Sequence, residues 1–150
     1  ALVLALSHQA ELLIMDEPTR GLDPFVRSDF LEIIRAYMKN GGKGVLFSTH
    51  ITSDLDKIAD MLIFIDEGTI IFQQNKDDLL DNYRIVKGNT ALLNDQNKKF
   101  IKNLKVSSYG FAGITDCVAE VKKELPDVLL EKARIEDIML AYIGGDKDDC

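Results

Sequence analysis

The chain predicts an α/β fold, a core sheet with helices followed by a small α+β region, and three observations carry that expectation. Leu12, Leu13, Ile14 and Met15 form a continuous apolar run closed by Asp16, Glu17, Pro18 and Thr19. A run of that length bounded by turn residues reads as a strand buried on both faces. Phe25 to Lys39 then carries apolar residues at helical spacing, and Val45 to Ser48 returns to a short apolar strand. Later the pattern changes to short strands and helices in mixed order, as in an α+β region.

The elements follow in order. Ala1 to Ser7 reads as the end of an apolar helix, leading through Ser7, His8, Gln9 and Ala10 into the first strand. Val26, Phe30, Ile33, Ile34, Tyr37 and Met38 make a helical stripe, with Asn40 and Gly41 as its stop. Thr52 to Asp60 fits a helix. Met61 to Ile65 and Thr69 to Gln73 are strands joined by Asp66-Glu67-Gly68, a hairpin signal. Lys76 to Asp81 reads as a short helix. Tyr83 to Lys87 is a strand, Ala91 to Leu104 a helix, and Lys105 to Tyr109 and Phe111 to Thr115 are strands. Cys117 to Glu124 is helical, Val128 to Glu131 extended and Ile135 to Ile143 helical. Between Tyr83 and Glu131 the order is strand, helix, two strands, helix, strand, which matches a small split-βαβ, ferredoxin-like module. The polar stretch Asn94 to Lys99 reads as loop, and 146–150 as a disordered acidic tail.

The candidate chemistry sits at the end of the first strand. Open α/β sheets place their ligands at the carboxyl ends of strands. Side chains of neighbouring strand residues point to opposite sides, so Asp16 and Glu17 take different roles. One carboxylate can hold a metal while the other addresses a water from another angle, which is what phosphoryl transfer from a Mg-nucleotide needs. The same Asp-Glu pair recurs at Asp66 and Glu67, but Gly68 and a second strand follow at once, so a hairpin turn is the reading there. His50 ends the second apolar strand, after Ser48 and Thr49. A lone histidine is more often structural than functional, and His8, without such a context, reads as a surface or capping residue. Asp23, before Pro24, is a turn former and helix cap on local grounds.

LLIMDEPTRGLDP, Leu12 to Pro24, resembles the Walker B segment plus D-loop of ATP-binding-cassette (ABC) ATPases. GVLFSTH, Gly44 to His50, resembles the family's next core strand, which ends in the switch histidine. The resemblance covers Ala1 to Phe72. YRIVKG (Tyr83 to Gly88) and IEDIMLAYIGG (Ile135 to Gly145) resemble, more weakly, the tails of ATPase subunits of bacterial ABC exporters. The resemblance implies a P-loop NTPase core sheet of ABC type. Residues 1–75 would be its carboxyl-terminal half and 76–145 an accessory region.

It implies ATP and Mg²⁺ as cofactors, with Asp16 holding Mg²⁺ through water. Glu17 would polarise the water that attacks the γ-phosphate. His50 would contact that phosphate and link it to the same water. Asp23 would communicate across a dimer of ATPase subunits. The implied partners are a transmembrane permease and a second ATPase subunit. The implied place is the cytoplasm, peripheral on the inner face of the membrane, with export the favoured direction. Arg20 receives no role.

A P-loop, GxxxxGK[ST], is absent from these residues. Gly41-Gly42-Lys43-Gly44 places Tyr37 at the pattern's first glycine and Gly44 where Ser or Thr should follow the lysine, so a glycine-rich turn is the reading. The chain starts without Met inside what reads as a helix, and the family's signature would end just before Ala1. A fragment is expected, inactive by itself for want of P-loop and signature.

Composition narrows the classes. A chain of 150 residues can bury roughly 68–70% of its extended surface as one domain. Hydrophobic content of 46% and charged content of 29% are ordinary for a globular protein. A net charge of −7 argues against nucleic-acid binding, which needs a basic surface. No apolar run reaches the length of a membrane span. Cys117 and Cys150 form neither a disulfide framework nor a CxxC site, and a reduced setting is expected, with Cys117 a packed small hydrophobe.

Two other functions compete. Chromosome-maintenance and DNA-repair ATPases share these motifs, but they carry long heptad helices, and no sustained heptads occur here. A non-enzymatic module binding a partner or ligand is the third reading, which nucleotide-binding calorimetry would separate from an ATPase.

Overall fold

A parallel strand pair organises the first part of the chain. The computed structural model describes residues 10–39 and 44–144. The expected helix end at Ala1 to Ser7, the stop at Asn40 and Gly41, and the tail at 146–150 lie outside the described residues. Residues 1–59 form one compact unit and residues 60–150 a second. The boundary expected from sequence lies further on, at 75/76.

In the first unit, β1 (Leu12–Asp16) and β2 (Gly44–Ser48) run parallel, from Leu12 opposite Gly44 to Asp16 opposite Ser48. Parallel neighbours need a long crossover, and α1 (Pro24–Lys39) supplies it. Leu31 and Ile34 of α1 are buried against Leu13, with Phe30, Tyr37 and Met38 packed around them. Met15, Val45 and Phe47 line the strand side of this core, and α2 (Thr52–Ile58) adds Ile58. Each such side chain fully buried contributes about 1.5–3 kcal/mol.

The first strand is covered on one face only. Leu13 is buried, while Leu12 and Leu46 are exposed and Ile14 is 70% exposed. The expectation of a strand buried on both faces is therefore corrected. Strand side chains alternate, α1 covers one side, and the other side of this two-stranded sheet carries no cover among the described residues. Val26 and Ile33, counted on the helical stripe, are also exposed.

The second unit opens with a hairpin. β3 (Met61–Asp66) and β4 (Thr69–Asn75) pair antiparallel around a two-residue turn, with Asp66 opposite Thr69. Glu67 and Gly68 both have positive φ, +46° and +77°. Two positive φ values in a two-residue loop are the type I′ condition, and glycine meets it at least cost. α3 (Lys76–Asn82) follows, capped by the Asn75 side chain accepting from the Asp77 amide.

Next comes a four-stranded sheet. β5 (Arg84–Gly88), β6 (Lys102–Ser107), β7 (Gly110–Thr115) and β8 (Leu129–Lys132) stand in the order β6-β7-β5-β8, every neighbouring pair antiparallel. β7 thus sits between β5 and β6, which are parallel to each other, the arrangement of a split βαβ unit. α4 (Val118–Glu124) links β7 to β8, and α5 (Ile135–Gly144) follows. Val86, Ile101, Phe111, Val121 and Leu125 form the buried core.

The helix expected over Ala91 to Leu104 does not form. Two 3₁₀ turns, Thr90–Leu92 and Lys98–Phe100, take its place, and β6 begins at Lys102. Asparagine side chains offer the backbone other partners. Asn97, buried, accepts from the Asn94 amide and donates to the Leu92 carbonyl, while Asn94 accepts from the amides of Gln96 and Asn97. Such side-chain bonds compete with a helical ladder. Phe64, Phe72, Tyr83 and Tyr142 make a ring cluster, with centroids 5.5–6.5 Å apart, that fastens α5 over the hairpin. Cys117 is buried as expected but disulfide-bonded rather than a packed thiol, a pairing that residue spacing could not disclose. Among the described residues no helix is long and apolar enough to cross a membrane.

Candidate functional site

The parallel register of β1 and β2 builds the site. It sets Asp16 opposite Ser48, so the two strands end level with each other. The Ser48 hydroxyl donates to Asp16 Oδ1. The Glu17 amide donates to both the Ser48 carbonyl and the Ser48 hydroxyl oxygen, each at 3.1 Å. Ser48 therefore holds both carboxylate-bearing residues through one side chain and one backbone group. His50, two residues further along, reaches back across the strand ends, its Nδ1 2.8 Å from Glu17 Oε1. Asp16, Glu17 and His50 are thus brought together.

Glu17 sits in an unusual backbone conformation, with φ at +45°. For a residue other than glycine this costs about 1–3 kcal/mol and persists only where the surroundings impose it. The bend turns the Glu17 side chain away from the strand direction, toward His50. Its second oxygen, Oε2, is buried and has no hydrogen-bond partner among the described residues. An unpaired buried acceptor is costly, and a bound water or ligand donor would relieve it.

Asp23 stands elsewhere. Its Oδ1 accepts from the amides of Phe25 (3.0 Å) and Val26 (3.1 Å), so it caps α1, as the sequence expected on local grounds. Gly21, with φ at +76°, provides the turn that leads to it.

Four residues that the sequence reading passed over belong to the same neighbourhood. Ser48 is one. The others are Thr19, Arg27 and Asp54, joined in a buried network. Thr19 donates its hydroxyl to Asp54 Oδ2 at 2.6 Å, and Arg27 Nε donates to Asp54 Oδ1 at 2.6 Å. Arg27 also reaches the Ser53 hydroxyl at 2.6 Å. Asp54 is 0% exposed and Thr19 1%. The signal in the sequence was faint: Asp54 lies four residues before Ile58, on the buried face of α2.

Chemically, the strand end offers one exposed carboxylate, Asp16, and one carboxylate–imidazole pair. Among the described residues no group of three or more His, Cys, Asp or Glu side chains is arranged so that it could hold a metal ion. A metal held only by protein ligands is therefore not what the site provides. One carboxylate with waters and substrate oxygens is the donor set that suits Mg²⁺, which dehydrates reluctantly.

A family model described as "AAA domain, putative AbiEii toxin, Type IV TA system" matches residues 1–56, the segment holding Asp16, Glu17, Asp23 and His50. The chain is 32% identical over 126 residues to a putative ABC transporter ATP-binding protein of Mycoplasma pneumoniae, covering 82% of this chain and 37% of that protein. It is 28% identical over 158 residues to the Nod factor export ATP-binding protein I of Bradyrhizobium diazoefficiens, covering 98% of this chain and 51% of that one. It is 40% identical over 76 residues to the lantibiotic transport ATP-binding protein SrtF of Streptococcus pyogenes, covering 51% and 33%. The chain spans about half, or less, of the length of these curated relatives. With one set of motifs, one strand-end site and relatives of one kind along most of its length, the chain belongs to the family of ABC transporter ATP-binding proteins.

Proposed function

We propose that this chain is part of the ATP-hydrolysing subunit of an ABC transporter, where ATP binding and hydrolysis drive substrate movement through a membrane permease. The observation that carries the reading is the contact between Glu17 Oε1 and His50 Nδ1 at 2.8 Å, beside Asp16 on the neighbouring strand position. Asp16 would hold Mg²⁺ through water, and the ion would offset charge on the nucleotide's phosphates. Glu17 acts as the general base. Its unpartnered Oε2 accepts a proton from water, the water oxygen bonds to the γ-phosphorus, and the bond from that phosphorus to the departing ADP breaks. His50, with Nδ1 engaged by Glu17, keeps the rest of an exposed ring to meet the γ-phosphate.

A phosphate cradle and an opposing signature must come from outside these residues, and the D-loop residue Asp23 would act across a dimer of such subunits. A transmembrane permease is the second partner, and the subunit works in the cytoplasm on the inner face of the membrane. The Nod factor export protein among the relatives favours export as the direction. The test is steady-state ATP hydrolysis by the complete subunit and by its Glu17→Gln variant, with ATP binding measured on both. Retained binding with turnover nearly abolished is expected. Wild-type turnover by the variant would refute the assignment.

A further inference from the structure

We propose that Asp54 is a positioning residue for the Glu17–His50 pair, acting through Thr19; the inference rests on the function proposed above. Glu17 lies in a turn that must be held at both ends, because its positive φ is not a conformation glutamate adopts by itself. Ser48 holds the strand side of that turn through the Glu17 amide. Asp54 holds the far side, where Thr19, two residues past Glu17, is buried and gives its hydroxyl to Asp54 Oδ2 at 2.6 Å.

Asp54 is also the fourth residue after His50 and belongs to the helix that follows it. Its amide donates to the Ile51 carbonyl at 3.0 Å, which fixes the start of that helix directly after the histidine. One buried carboxylate therefore connects the segment carrying Glu17 to the segment carrying His50. Arg27, from α1, completes the arrangement. Its Nε donates to Asp54 Oδ1 and its Nη2 lies 2.5 Å from the same oxygen, so the carboxylate is held in place and does not swing between partners.

Two features set this network apart from ordinary packing. A charged side chain with no exposure is rare unless paired, and here each oxygen has its own donor from a different element. The donors come from the turn after Glu17 and from α1, while the acceptor comes from the helix after His50. Loosening the link lets the turn carrying Glu17 shift relative to His50. A displacement of about 1 Å in such a constellation can cost on the order of 100-fold in rate. Nucleotide affinity, set largely by groups outside this network, changes little.

The test uses the complete subunit with Thr19→Val, Thr19→Ser, Asp54→Asn and Glu17→Gln side by side, measuring kcat and KM for ATP and thermal midpoints. Thr19→Val leaves the Asp54–Arg27 pair intact and removes only the hydroxyl, so it remains informative even if Asp54→Asn fails to fold. Expected is a kcat lowered about 10- to 100-fold for Thr19→Val, KM within a few-fold of wild type, and recovery in Thr19→Ser. Wild-type kcat in folded Thr19→Val, or an equal loss in Thr19→Ser, overturns the inference while an inactive Glu17→Gln leaves the underlying function standing. Wild-type turnover by Glu17→Gln removes the underlying function, and the inference with it.

Discussion

Nδ1 of His50 lies 2.8 Å from Oε1 of Glu17, joining two residues 33 positions apart. The contact depends on the parallel register that sets Asp16 opposite Ser48, because that register brings the ends of β1 and β2 level. A shift of one residue would turn every side chain of a strand to the other face and separate the pair.

The three residues at this strand end should fail in different ways. In the complete subunit, Glu17→Gln lowers turnover about 10²–10⁴-fold with ATP binding kept, since the amide retains shape and loses basicity. Asp16→Asn raises the Mg²⁺ concentration needed for half-maximal turnover and lowers the maximum. His50→Ala lowers turnover about 100-fold with a smaller change in affinity. Turnover titrated against Mg²⁺, with nucleotide binding measured separately, distinguishes the three.

The 150-residue chain by itself should neither bind ATP tightly nor hydrolyse it. It carries the metal-side acid and the water-side base without a GxxxxGK[ST] cradle, and phosphoryl transfer depends mainly on positioned charge around the phosphates. Calorimetry is expected to give no saturable micromolar binding. A micromolar isotherm would contradict this.

The same chain should associate with itself. Leu12, Ile14 and Leu46 expose one apolar face of a two-stranded parallel sheet, and among the described residues no third strand pairs with its outer edges. Sedimentation velocity is expected to show concentration-dependent growth in size, reduced by Ile14→Lys. A monomer at all concentrations would count against it.

Asp23 allows capping to be separated from any longer-range role. Asp23→Ala should cost about 1 kcal/mol through loss of the cap on α1. Asp23→Asn keeps the acceptor and changes stability little. Lower turnover in a stable Asp23→Asn complete subunit, assayed beside wild type, would place its role beyond the cap.

In the second unit, Tyr83 is buried and its hydroxyl bonds to that of Tyr142, so burial first and this bond second raise its pKa well above the ordinary 10.0. The folded protein keeps the proton where the unfolded chain loses it. The stabilisation is therefore complete below pH 10 and lost progressively as pH rises beyond that value. Tyr83→Phe should cost about 1–3 kcal/mol near neutrality, because Tyr142 loses its partner. It should also flatten the decline above pH 10, as read from urea midpoints against wild type.

The sequence by itself determined the alternation of strand and helix up to Asn82, the hairpin at Glu67 and Gly68, and the strand end carrying Asp16 and Glu17. Each depends on local periodicity or turn chemistry, which a one-dimensional pattern preserves. The pairing of Glu17 with His50 was legible only through resemblance, since no local rule links strand ends 33 residues apart. Tertiary structure alone decided the rest. It left Ile14 exposed although its neighbours match it in polarity, because burial depends on what lies opposite rather than on the residue itself. It replaced the helix over Ala91 to Leu104 with asparagine-bonded turns, because buried Asn97 found backbone partners that a helix would have taken. It buried Asp54, a residue that composition assigns to the surface, because Thr19 and Arg27 arrive from separate segments with one hydrogen-bond donor for each carboxylate oxygen.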